Sequence, residues 1–198
     1  MNKMETHSTE VKKPDIGTLV MALLLVVCVI LFIASSGEAL LWLPRPVFVF
    51  FRMASIVGIL GILAYFIGES LPRSMYDPYR FPYKAWQWEK DGRVYERLGV
   101  KWRKAHAIDM SRFMKRSFPK QNTVTRDPTR LRRLVQEMCN AELVHWVLAL
   151  LSPVFALLID GWYGVVIAVA YALFNLSDVM IQRYNRPRIM MILERMER

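Results

Sequence analysis

The stretch Glu137–Arg188, EMCNAELVHWVLALLSPVFALLIDGWYGVVIAVAYALFNLSDVMIQRYNRPR, decides the fold. Two apolar runs flank Asp160-Gly161, a pair suited to a tight turn. The pattern predicts a hairpin of two antiparallel helices. Its first helix opens with Glu137, Glu142 and His145, and its second closes with Asn175, Asp178, Gln182, Arg183, Asn185, Arg186 and Arg188. Residues equally far from the turn share one height. His145 and Asn175 lie about four helical turns from it, and Glu142 and Asp178 about five, at roughly 3.6 residues per turn. The polar groups of both helices are therefore expected to meet at one level, near the open end.

Outward from the hairpin, the rest of the chain carries two more apolar runs. The candidate membrane spans cover about residues 16–35, 47–67, 141–159 and 162–181. Each is near the ~20 residues that cross a hydrocarbon core of about 30 Å. With 198 residues and 54% hydrophobic composition, the expected fold is an all-α integral membrane protein forming a single membrane domain. The first span is read as an uncleaved anchor behind a basic tail. In the second, Gly58 and Gly61 offer close helix approach, and Arg52 is placed to snorkel to the headgroups.

Between the second and third spans lies a long segment, residues 69–140. Tyr76, Tyr79, Phe81, Tyr83, Trp86 and Trp88 alternate there with cations, as in a membrane interface. Lys84–Glu96 fits either a strand or a short helix. Arg93–Phe118 mixes basic and apolar residues and is expected to form interfacial amphipathic helices. Asp127-Pro128-Thr129 marks a helix start with Pro at the first helical position, and that helix runs on into the third span.

The net charge of +10 is concentrated in the N-terminal tail, the long segment and the C-terminal tail, while the short connections carry few cations. Lys and Arg favour the cytoplasmic side, so both termini are expected inside a multi-pass cell-membrane protein. The charge suits anionic headgroups, and no motif points to nucleic acid. Cys28 and Cys139 read as small packing residues rather than a disulfide or metal pair. Only His7, His106 and His145 are present, which disfavours a zinc site, although a hydrated Mg²⁺ on the carboxylates stays open.

Ionisable groups within a span are costly unless paired or hydrated, so each is a functional candidate. Glu142 and His145 are three residues apart on one helix face, where a carboxylate can fix an imidazole's tautomer and raise its basicity. Gln182-Arg183-Tyr184-Asn185-Arg186-Pro187-Arg188 is dense in donors, and arginine forks hold carboxylate or phosphate. No glycine-rich phosphate loop or nucleophile elbow occurs.

Three blocks carry a family resemblance. They are Glu89-Lys90-Asp91-Gly92-Arg93-Val94-Tyr95 with Lys101-Trp102 and Asp109; Ala141-Glu142-Leu143-Val144-His145-Trp146 behind Glu137; and Asn175 with Gln182–Arg188. The chain resembles the integral-membrane glycosyl-4,4′-diaponeurosporenoate acyltransferases of staphyloxanthin-type carotenoid synthesis, from about Phe81 onward. The resemblance implies transfer of a fatty acyl group to a hydroxyl of a membrane glycolipid, such as a glycosylated carotenoid. Glu89, Trp102, Asp109, Glu137, Glu142, His145, Asn175, Arg183, Asn185 and Arg186 fall on the family's pattern; Asp178, His106 and Cys139 do not. The expected donor is acyl-CoA or a similar thioester used as co-substrate, with no tightly bound cofactor and no metal. His145 is the expected general base, oriented by Glu142, with Asn175 on the oxyanion. Arg183, Arg186 and Arg188 are expected on the donor's phosphates, and the aromatic segment under the lipid. Two other classes stay open: a non-catalytic subunit docking a partner enzyme, and another lipid-modifying enzyme such as a methyltransferase.

Overall fold

A computed structural model describes residues 16–36, 43–89, 92–106 and 127–198. Every regular element among them is helical: α1 (Ile16–Ser36), α2 (Arg45–Ser70), α3 (Val94–Arg97), α4 (Val100–His106), α5 (Pro128–Leu150), α6 (Pro153–Leu158) and α7 (Trp162–Met196). Short 3₁₀ turns at Arg73–Met75 and Gln87–Glu89 shape the segment after α2. The described residues of the Lys84–Glu96 stretch are thus turn and short helix, with no strand among them. Four helices are long and apolar enough to cross a membrane: α1, α2, α5 with α6, and α7.

The start of α5 follows the sequence. Asp127 accepts a hydrogen bond from the Thr129 amide at 2.9 Å, and Pro128 takes the first helical position. The third span departs from the expected single helix. Pro153 has no amide hydrogen and cannot join an unbroken ladder, so α5 ends at Leu150 and α6 restarts on Pro153. The turn to α7 rests on glycines. Gly161 has φ +76°, and a Cβ on Gly164 would stand 2.2 Å from the Ile159 carbonyl oxygen.

At the turn end of the hairpin, Val49, Ile56, Phe155, Ile159 and Ala168 form a core between α2, α6 and α7. At the open end, Leu131, Leu134, Val135, Met138 and Ile189 pack α5 on α7. With 35 residues α7 is about 50 Å long, well over the hydrocarbon thickness of about 30 Å. It runs through Pro187 without a break. The expected second arm, ending near residue 181, is therefore only the first part of a longer helix.

Helices α1 and α2 meet at Gly58, where a Cβ would stand 2.4 Å from Cys28 Sγ, whereas Gly61 faces open space. Arg52 turns inward rather than to headgroups. Its Nη1 donates to the Ser35 carbonyl at 3.2 Å, filling an acceptor left over at the end of α1. Most of α1 presents exposed apolar residues, including Leu19, Leu23, Ile30 and Ile33.

Candidate active site

The hairpin brings α5 and α7 side by side with the heights the sequence predicts. His145 Nδ1 lies 2.9 Å from Asn175 Oδ1 across the pair. Asn175 is buried, and its Nδ2 donates to the Tyr171 carbonyl at 2.9 Å. A carbonyl only accepts, so the amide nitrogen must face Tyr171 and the amide oxygen must face the imidazole. The imidazole proton then sits on Nδ1, and in the neutral ring Nε2 carries the lone pair. The His145 side chain is 25% exposed, open enough to be reached.

Among the described residues, the Asp178 carboxylate stands close to this histidine. Its Oδ2 lies 3.9 Å from His145 Nδ1. Its Oδ1 accepts from Arg103 Nη2 at 2.9 Å. Arg103 comes from α4; its Nε donates to Ser177 Oγ at 2.9 Å and its guanidinium lies 4.6 Å from the centre of the Phe174 ring. A single residue of α4 is thus clamped to Phe174, Ser177 and Asp178 on one face of α7, beside the histidine.

Glu142 has a different role from the expected one. It is 0% exposed, and its two oxygens accept from Arg183 Nη1, at 2.5 Å, and from Arg186 Nη1. Three residues of helix separation left its partner open, and a buried carboxylate is far costlier unpaired than a neutral imidazole. Asn175 and Asp178, on the facing helix, hold the imidazole instead. The Asn175 amide nitrogen, expected on an oxyanion, gives one of its two hydrogens to the Tyr171 carbonyl.

Arg183 and Arg186 are also placed otherwise than on donor phosphates. Both are 2% exposed. Arg183 Nε donates to Glu89 Oε1 at 2.5 Å, its Nη1 and Nη2 reach the Pro82 and Lys84 carbonyls at 3.1 and 3.2 Å, and the Trp86 ring lies 4.1 Å away. Arg186 Nη2 donates to the Tyr83 carbonyl. Glu89 completes the set, accepting from Tyr95 Oη at 2.6 Å and the Trp86 amide at 3.0 Å. Two carboxylates against two guanidiniums leave the buried group neutral. Its carbonyl partners come from residues 82–84, so the network straps that loop onto α5 and α7. The Tyr83 phenol is pushed up to about 12 by burial, and burial with the Glu89 hydrogen bond raises Tyr95, so both stay protonated.

The remaining candidates spread along the open end. Glu137 is buried beside Arg73, with Oε1 2.9 Å from Nη1. Gln182 is buried on α7. Tyr184 donates from its hydroxyl to Glu96 Oε1 at 3.1 Å, and Asn185 Oδ1 accepts from Lys104 Nζ at 2.9 Å. Arg188 is half-buried, lies over the Tyr184 ring and donates to Glu96 Oε1 at 3.0 Å. Hydrogen bonds from Lys101 and Tyr184 hold the Glu96 carboxyl below its usual range. Burial first, and Arg188 second, lower the Lys104 ammonium. Trp102 is 68% exposed. Asp109 lies outside the described residues, as does most of the second half of the expected amphipathic segment. Arg103 and Glu96 were not singled out by sequence, and Tyr95 entered only as the end of the Glu89–Tyr95 block. Their only signal was membership of a basic, aromatic stretch.

Fold and polar cluster together define a class: a small helical protein whose buried ionic network and His145 cluster sit in helices of membrane-crossing length. The family model described as glycosyl-4,4′-diaponeurosporenoate acyltransferase matches residues 72–195. The chain belongs to this family and is an acyltransferase. The match runs from the loop after α2 through α7 and so contains the buried ionic network and the His145 centre. A glycosyl-4,4′-diaponeurosporenoate acyltransferase of Staphylococcus haemolyticus is 31% identical over 121 residues, 60% of this chain and 69% of the relative. One from a bovine strain of Staphylococcus aureus is 24% identical over 135 residues, 67% of this chain and 80% of the relative. No solved structure matches.

Proposed function

We propose that this protein is a multi-pass enzyme of the cell membrane that moves a fatty acyl group from a thioester donor to a sugar hydroxyl of a membrane glycolipid. The acceptor is a glycosylated carotenoid acid of the kind that the relatives' name states. Acyl-CoA or a similar thioester serves as co-substrate, without a tightly bound cofactor. Membrane lipids and the glycolipid are its partners; nucleic acid is not. The whole chain acts as one membrane domain with both termini in the cytoplasm.

The observation that carries this is the His145–Asn175 hydrogen bond, which leaves Nε2 as the basic nitrogen of a reachable imidazole. His145 Nε2 takes the proton of the acceptor hydroxyl as its oxygen attacks the thioester carbonyl. It returns that proton to the leaving thiolate. A base in this position contributes about 10²–10⁴-fold. The exposed rings of Tyr79, Phe81, Trp86 and Trp88 lie in the loop that the buried arginines hold to the hairpin. They form an apolar shelf for lipid chains at the same end.

The test is transfer of a labelled acyl group from acyl-CoA to a glycosylated carotenoid acid by the purified protein in detergent. His145→Gln keeps a hydrogen-bonding group but no usable base, and transfer is expected to fall by about 10²–10⁴-fold at an unchanged Tm. A stable, active His145→Gln enzyme removes the base assignment.

A further inference from the structure

We propose that Arg103 is a catalytic residue of this site: its Nη1 hydrogens hold the acyl carbonyl oxygen while His145 activates the acceptor. The proposal rests on the acyl-transfer reading above and names a group that reading lacks. A tetrahedral intermediate needs a donor for its oxyanion, and the neighbouring Asn175 amide already gives one of its two hydrogens to the Tyr171 carbonyl.

Arg103 meets the requirements of such a donor. Its guanidinium is fixed from three sides: Nε on Ser177 Oγ at 2.9 Å, Nη2 on Asp178 Oδ1 at 2.9 Å, and the Phe174 ring at 4.6 Å from its carbon. Its side chain is 20% exposed, so it is partly withdrawn from water yet not closed off. Among the described residues, Nη1 has no hydrogen-bond partner. Arg103 and His145 lean on opposite oxygens of one carboxylate, Asp178, at 2.9 and 3.9 Å. The electrophile and the base are thereby held at one locus, and Asp178 acts as the positioning residue for both. Asp178 also keeps the resting site from carrying an uncompensated cation. The other charged groups nearby, Glu142, Arg183 and Arg186, form a separate neutral network in the interior.

The step balances. The acceptor oxygen forms a bond to the thioester carbon, and its proton moves to His145 Nε2. The carbonyl π pair moves onto oxygen, which Arg103 Nη1 stabilises. When that pair returns, the carbon–sulfur bond breaks, and the thiolate leaves with the proton from His145. The products are ester and thiol, and the arginine is unchanged.

The experiment compares purified wild type with Arg103→Gln, Arg103→Ala and His145→Gln in the acyl-CoA assay, with Tm measured beside each. Arg103→Gln is expected to lower kcat by about 10²–10³-fold, the cost of one oxyanion donor, with donor KM changed little. Arg103→Ala is expected to regain part of its kcat when millimolar guanidinium chloride is added, whereas His145→Gln is not. If Arg103 only docks α4, added guanidinium restores no turnover. Should both Arg103 variants keep wild-type kcat while His145→Gln is dead, Arg103 is out of the chemistry and the acyl-transfer reading stands. If His145→Gln remains active, or wild type transfers nothing, that reading fails and the role of Arg103 fails with it.

Discussion

Glu142 shows at the scale of one residue how burial decides between chemistry and scaffolding. Its carboxylate is fully buried and bridges Arg183 and Arg186. Removing its charge leaves two guanidiniums against Glu89 alone, in an interior where an uncompensated charge costs about 3–5 kcal/mol. Glu142→Gln is therefore expected to lose about that much stability, read as a clear fall in Tm of the detergent-solubilised protein. His145→Gln, at a partly exposed ring, is expected to lose little. A Glu142→Gln enzyme with wild-type Tm and no activity would return this carboxylate to the reaction. His145 and Asn175 were legible in the sequence because height along a helical hairpin follows from counting residues to the turn. The partner of Glu142 was not. It depends on how far α7 is rotated about its axis and on where the 82–89 loop lies, and neither is a function of local periodicity.

At the scale of elements, the Gly92 turn crosses close over α7 beneath the site. Pro187 has no amide hydrogen, so the Arg183 carbonyl loses its usual helical donor while the helix continues. Gly92 packs against that spot: a Cβ there would stand 3.1 Å from the Arg183 carbonyl oxygen and 3.0 Å from Tyr184 Cα. Its φ is +83°, a region that L side chains rarely adopt. Gly92→Ala combines backbone strain with a contact against helix backbone that cannot swing aside. It is expected to cost about 1–3 kcal/mol and to loosen Glu89, three residues away, from Arg183. Hydrogen exchange of residues 82–95 would report the loosening; unchanged protection and Tm would contradict it. The two prolines of the hairpin also show where sequence patterns stop. Pro153 and Pro187 have the same local chemistry. One ends a helix and the other rides within one, because packing on both sides of Pro187 outweighs a single missing hydrogen bond.

For the whole molecule, the open question is which way it stands in the membrane. Four helices of crossing length and an exposed apolar α1 fit a bilayer, and charge predicts the orientation. The turn between α6 and α7 carries Asp160 and no Lys or Arg of its own. The opposite end carries Arg73, Arg80, Lys84, Lys101, Arg103, Lys104, Arg130, Arg132, Arg133 and Arg188, along with the His145 centre. A bias this steep predicts the His145 end on the cytoplasmic side, where acyl thioesters are available, and the Asp160 turn outside. The hairpin geometry makes the assignment testable with two exposed positions at opposite ends. In a Cys28→Ala, Cys139→Ala background, Asp160→Cys is expected to react with an impermeant maleimide on intact cells. Arg80→Cys, whose side chain is 83% exposed, is expected to react only after the cells are opened. Labelling of position 80 on intact cells would invert the topology, and the donor would then have to reach His145 from outside the cell. Labelling of both positions from outside would mean that the hairpin of α5–α6 and α7 does not span the bilayer, and the charge bias would then reflect lipid contact alone.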